Sequence, residues 1–231
     1  MKQLFRNNAL FLSLSLILVA VLGLALLYIP KGELHLLLCN RHAPARDLFF
    51  RYYTHVAEWF PYVICVALLL FGRVGNGLLA SACMAFTALT TQIVKHLVNA
   101  PRPITWFAAN MQDVQLPLVD GVKMNAWCSF PSGHTTSFFA LAFVASIIIS
   151  ARIFRTEGYS ERSVIITYFL QFLLFVAALL GGYSRIYLSQ HFALDVFGGT
   201  VVGILISIVC YAIFSRYEGQ KWYNYRLLTK K

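Results

Sequence analysis

Charge is what this sequence has least of. Only 12% of its 231 residues are Asp, Glu, Lys or Arg, and the acids number 9 against 19 bases. A soluble domain averages about 25% charged and about 45–50% apolar residues. Here 59% of residues are hydrophobic and the mean hydropathy is +0.67. The deficit excludes a large soluble core and points to an integral membrane protein of one domain, 1–231. Cysteine is sparse as well: the chain has five, an odd number without metal-type spacing. Cys65, Cys83 and Cys210 fall in apolar runs and read as small core residues. Cys39 and Cys128 fall outside them, so a disulfide between these two stays open. Internal repeats and low-complexity tracts are missing. No A-x-A cleavage site follows the first apolar run, so MKQLFRNN and that run read as an uncleaved first span rather than a signal peptide. The formal charge of +10 is scattered around apolar spans. That favours membrane orientation and anionic substrate groups over nucleic acid.

What is present is a series of apolar runs. They predict an all-α, integral membrane six-helix bundle with spans near 9–29, 58–72, 78–98, 134–151, 164–181 and 192–214. The second is the weakest, being short on hydropathy. Between the first two spans, Lys31, Glu33, Arg41, Arg46, Asp47, Arg51 and Glu58 alternate with Phe49, Phe50, Tyr52, Tyr53 and Trp59, a pattern for helix lying at the bilayer surface. His35, His42 and His55 in that segment match no metal spacing and read as solvated. The basic, aromatic tail after 214 reads as a second surface segment. Six spans put both termini on one side. If that side is the cytoplasm, it holds eleven of the nineteen bases, so the sequence predicts both termini inside a cytoplasmic (inner) membrane.

With that topology three polar clusters meet at the outer face. Lys95-x6-Arg102-Pro103 closes the third span, Pro131-Ser132-Gly133-His134 opens the fourth, and Ser184-Arg185-x5-His191-x3-Asp195 joins the last two. Taken singly, each has a plain explanation: Arg185 as a snorkelling arginine, Lys95 as a topology anchor, PSGH as a turn with a helix cap. Ionisable residues near membrane depth are costly, and three clusters on one face argue for a site. Lys95, Arg102 and Arg185 supply cations for a phosphate and the charge of its transition state. Pro101 and Pro103 hold Arg102 extended. Ser132 can cap a helix whose first free amides, beside Gly133, seat an anion. His191 and Asp195, four apart, share a helix face, so the carboxylate can fix the tautomer of a nucleophilic imidazole. His134 is placed to act as the acid.

KHLVNAPRP, PSGH and SRIYLSQHFALD resemble the three signature motifs of the type 2 phosphatidic acid phosphatase (PAP2) superfamily, over roughly residues 55–215. The superfamily holds membrane lipid phosphatases and soluble haloperoxidases, and the hydropathy here excludes the soluble kind. The resemblance implies a phosphatase working without metal or other cofactor, through a phosphohistidine on His191 oriented by Asp195. It implies His134 as the acid, Lys95, Arg102, Ser132, Gly133 and Arg185 as phosphoryl-binding groups, and a phosphorylated lipid as the partner. Undecaprenyl diphosphate, phosphatidic acid, phosphatidylglycerol phosphate and lipid A phosphates all qualify, because the motifs read phosphate and not the tail. A lipid-to-lipid phosphotransferase would carry the same motifs. A lipid transporter would need the cations but not the His191–Asp195 pair.

Overall fold

In a computed structural model the protein is described over residues 1–40 and 42–226. Arg41 and residues 227–231, which end the basic tail, lie outside the described residues. Among the described residues eleven α-helices follow one another: α1 (Lys2–Asn7), α2 (Ala9–Tyr28), α3 (Lys31–Cys39), α4 (Pro44–Tyr53), α5 (Trp59–Gly72), α6 (Val74–Val98), α7 (Pro103–Asn110), α8 (Gly133–Thr156), α9 (Glu161–Tyr187), α10 (Ala193–Phe214) and α11 (Lys221–Asn224). Short 3-10 turns at Thr54–Ala57 and Ser215–Tyr217 extend α4 and α10. The fold is all-α, and no strand occurs among the described residues.

Local chemistry sets the boundaries. Prolines stand at the first positions of α4 and α7, where their missing N–H costs nothing. Ser160 and Ser163 cap the start of α9 reciprocally, each side chain meeting the other's backbone N–H. Asn99, left-handed at φ 43°, ends α6 just before the two prolines around Arg102.

Helix α8 is the hub, packing on α6, α9 and α10. Phe138, Phe139, Phe143 and Ile147 of α8 meet Phe11, Phe175 and Ala178 in the main core cluster. The crossing of α8 and α10 is held at backbone contact by two glycines one turn apart. A Cβ on Gly199 would lie 2.7 Å from the carbonyl oxygen of Ser132, and one on Gly203 would lie 2.6 Å from that of Thr136. Small residues at this spacing let membrane helices approach closely.

Among the described residues five helices, α2, α6, α8, α9 and α10, are long and apolar enough to cross a membrane. Helix α5, at 14 residues, is not: it reaches about 21 Å, against a hydrocarbon core of about 30 Å. It follows Glu58, which lies 4.0 Å from His134, and ends at Gly72, which lines a cavity with Arg152 of α8. Helices α8 and α9 continue beyond the expected spans four and five. Helix α8 continues to Thr156, and α9 occupies Glu161–Tyr187, so that Arg185 stands in its last turn. Hydropathy ends where side chains turn polar, while backbone hydrogen bonding carries the helix beyond the hydrocarbon.

The segment between the first two spans is helical, as expected, but it is not simply a surface layer. Leu34, His35, Cys39 and Phe50 are buried, so the solvated reading of His35, only 1% exposed, is corrected. Its Nε2 lies 3.3 Å from Ser189 Oγ. His42 is half-buried against Asp47 at 3.0 Å, and His55 is exposed as expected. Cys39 and Cys128 are both free thiols and form no disulfide.

Candidate active site

One end of the bundle gathers the end of α6, the starts of α8 and α10, and the last turn of α9. The chain between α9 and α10 turns back sharply, with Gln190 N and His191 N both donating to the Arg185 carbonyl at 3.0 Å. His191 stands in this turn, before α10 begins at Ala193 and not on a helix face as expected, and the turn brings its ring against Asp195. His191 Nδ1 lies 3.3 Å from Asp195 Oδ2, and both residues are buried. The same carboxylate oxygen accepts from the backbone N–H of Phe192 at 2.8 Å and from the Ser129 hydroxyl. Three donors hold this carboxylate at one orientation.

With Nδ1 turned to Asp195, Nε2 of His191 is the nitrogen left for chemistry. Burial drives the His191 pKa down to about 3, against the opposing pull of Asp195 and with help from Arg102 and Arg185. The imidazole is therefore neutral at ordinary pH, the form a nucleophile requires.

The α8 start is locked to the same unit. Ser132 N donates to the Asp195 carbonyl at 3.0 Å, and Ser132 Oγ caps the helix by accepting from Thr135 N at 3.4 Å. The amides that follow, at Gly133 and His134, lie at the positive end of the α8 dipole. His134 keeps some exposure, with Nε2 4.0 Å from Glu58 Oε1. It lies within electrostatic reach of His191, Arg185 and Lys95.

Arg102 is extended at φ −79°, ψ 166°, as the flanking prolines predict. Its Nε donates to Trp127 O at 3.0 Å and its Nη1 to Gln190 O at 3.4 Å, so the fork is pinned by two backbone carbonyls. Arg185 is buried, with Nη1 donating to Thr54 Oγ1 and Nε without a partner among the described residues. Thr91 sits close by, its methyl 3.5 Å from where a Gly133 Cβ would be, and its buried hydroxyl has no partner among the described residues. Lys95, one turn beyond, interacts electrostatically with Arg102, Arg185 and Asp195. Buried donors are ordinarily satisfied, so open ones around a shared space suit an anionic ligand.

All eight residues singled out from the sequence therefore belong to one end of the bundle. Ser184 is structural, its hydroxyl donating to Gly181 O at 2.6 Å. Sequence reasoning missed Thr54, Glu58 and Ser129. Ser129 stands three residues before the PSGH serine and could have been tried as a partner. Thr54 and Glu58 carried no such signal, because they meet α9 and α8 only through the fold. Among the described residues, no group of three or more His, Cys, Asp or Glu side chains could hold a metal ion.

The sequence signature of the PAP2 superfamily matches residues 76–218, which include every one of these eight positions. The chain belongs to the PAP2 superfamily. It is 31% identical over 142 residues to a probable lipid phosphate phosphatase 4 of Arabidopsis thaliana, covering 57% of this chain and 45% of that protein. The chain spans about half or less of the length of the curated relatives it matches. Among solved structures, LpxE of Aquifex aeolicus superposes with a TM-score of 0.59 at 27% identity, over 78% of this chain and 93% of that one. A transmembrane PAP2-type phosphatidylglycerolphosphate phosphatase of Bacillus subtilis gives a TM-score of 0.62 at 21% identity, over 94% of this chain and all of that one. The second likeness shows the fold. This PAP2 protein shares its helical membrane architecture with both.

Proposed function

We propose that this PAP2 protein hydrolyses a phosphate ester or diphosphate of an amphiphilic lipid through a phosphohistidine intermediate, without a metal ion. The observation that carries the reading is the buried His191–Asp195 pair, with a neutral imidazole, among Lys95, Arg102 and Arg185. His191 Nε2 attacks phosphorus while Asp195 accepts from Nδ1 and stabilises the imidazolium that develops. His134 gives its proton to the leaving lipid oxygen, then takes one from the water that cleaves the phosphorus–nitrogen bond and releases phosphate. Lys95, Arg102 and Arg185, with the amides at Gly133 and His134 and the Ser132 hydroxyl, hold the phosphoryl oxygens as charge redistributes. Phosphate monoester hydrolysis is among the slowest uncatalysed reactions in water, so this concentration of charge has a high barrier to lower.

A buried site inside a bundle favours a substrate already in the bilayer. Undecaprenyl diphosphate, phosphatidic acid, phosphatidylglycerol phosphate and lipid A phosphates are the candidate substrates. The same reading makes the chain a single domain in a cytoplasmic membrane, with six crossings, both termini cytoplasmic and the site facing outward.

The test is a panel of these lipids incubated with purified protein in detergent and chelator, with phosphate release measured. At least one lipid releases phosphate with wild-type protein and none does with His191→Ala. Release that survives the substitution on every active lipid overturns the proposal. Labelled phosphate passing to a second lipid instead of to water would convert the hydrolase into a phosphotransferase.

A further inference from the structure

Two cavities stand away from the catalytic end. Both lie at the opposite end, about 30 Å away along α8, measured as twenty residues of helix from His134. The larger, of about 460 Å³, is walled by the end of α5, the start of α6, the end of α8 and the segment after α10. A second of about 200 Å³ adjoins it, sharing Ile147, Ala151, Arg155, Tyr211 and Glu218.

The larger cavity has two kinds of wall. Its floor is apolar, from Leu69, Leu79, Ile147 and Ile148. Its rim carries four arginines, Arg73, Arg152, Arg155 and Arg226, against the single acid Glu218. None of the four guanidinium groups forms an ion pair among the described residues. The enclosure is built rather than incidental. Val74 N donates to Tyr225 O at 3.0 Å, and Tyr223 is buried on Gly75, where any Cβ would lie 2.4 Å from its ring. This seats the chain after α10 against the start of α6 and closes one wall, presenting Arg226 to the other three arginines.

We propose that this cavity binds the headgroup of an anionic phospholipid from the leaflet opposite the catalytic site. An unpaired basic rim above an apolar floor, at the end of a membrane bundle, matches a ligand with a phosphate at one end and acyl chains at the other. Guanidinium forks suit phosphate oxygens through paired hydrogen bonds, and among the described residues Glu218 is the one carboxylate in the lining. Phosphatidylglycerol and cardiolipin carry this chemistry, while a zwitterionic lipid brings its own cation and gains less. The inference rests only on the membrane fold and not on the phosphatase reading.

The test uses the full chain reconstituted in phosphatidylcholine with about one-fifth phosphatidylglycerol, then extracted in mild detergent for native mass spectrometry of retained lipid. Wild-type protein keeps phosphatidylglycerol in preference to phosphatidylcholine. Each basic group near an anionic lipid is worth on the order of fivefold in binding, so Arg152→Gln with Arg155→Gln lowers retention by roughly twentyfold. Arg73→Gln with Arg226→Gln does the same from the other wall, and serves if the first pair folds poorly. Circular dichroism and size-exclusion elution in lipid-free detergent report that the variants are folded. Equal retention by wild type and both folded variants overturns the proposal, as does a wild type without preference for the anionic lipid. Inorganic phosphate at millimolar concentration leaves the lipid in place; displacement by it would mean a free-anion site instead.

Discussion

Asp195→Asn keeps the size of a side chain that three donors surround, but it removes the charge and offers an amide where an acceptor is needed. The His191 tautomer is then no longer enforced. In steady-state assays kcat falls by about a thousandfold or more while KM changes little, since the loss is felt as charge develops. A fall under tenfold would remove Asp195 from this role. Ser129→Ala deletes one of the three donors and lowers kcat by about tenfold, the worth of one hydrogen bond to a charged group. Burial also gives His191 a signature in stability. Its folded pKa of about 3 lies below the ordinary value near 6.5, so between those two pH values the unfolded chain binds a proton that the folded chain does not. Stability from this residue is complete above the upper value and is lost as pH falls toward the lower. Thermal melting across that range therefore drops less steeply for His191→Gln than for wild type. The site was legible to the extent that its members are near neighbours in the chain or at turn-defining prolines. Thr54 was not, because its contact with Arg185 spans 131 positions and threonine has no charge to betray it.

Close approach of two elements sets the site's dimensions. Helix α10 carries Asp195 and α8 carries the anion-seating amides, and the gap between them is fixed by the hydrogens of Gly199 and Gly203. Gly203→Ala drives a methyl into the Thr136 carbonyl and costs about 1–3 kcal/mol, read as a lower melting temperature. Gly199→Ala, one turn from Asp195 and against Ser132, lowers kcat as well as stability. Comparable kcat in the two variants would show that the helix gap does not matter to the chemistry. Periodic apolar runs announced most helices here, since a bilayer demands long ones. The short α5 was visible only weakly. The inward turn of α3 and α4 was invisible, because a helix whose buried residues include a histidine and a cysteine looks like a surface helix by composition.

At the scale of the whole molecule, Asn7 and Tyr225 lie at one end of the bundle and His191 at the other. With native Cys128 replaced by alanine, Asp113→Cys reacts with an impermeant thiol reagent added outside intact cells, and Glu157→Cys reacts only after permeabilisation. The reverse pattern inverts the orientation proposed. Charge counting suggested the orientation, and the count of six spans already put the chain's start and its last described residues at one end. The carboxylate of Asp195 has one more consequence. Its bonds tie His191, the start of α8 and the α8–α10 crossing into one block, on which α3 and the turn at Thr54 bear through His35–Ser189 and Thr54–Arg185. On the proposed reading, exchanging residues 30–53 for those of a relative, with Thr54 and Glu58 kept, should change lipid preference while kcat stays near that of the wild type.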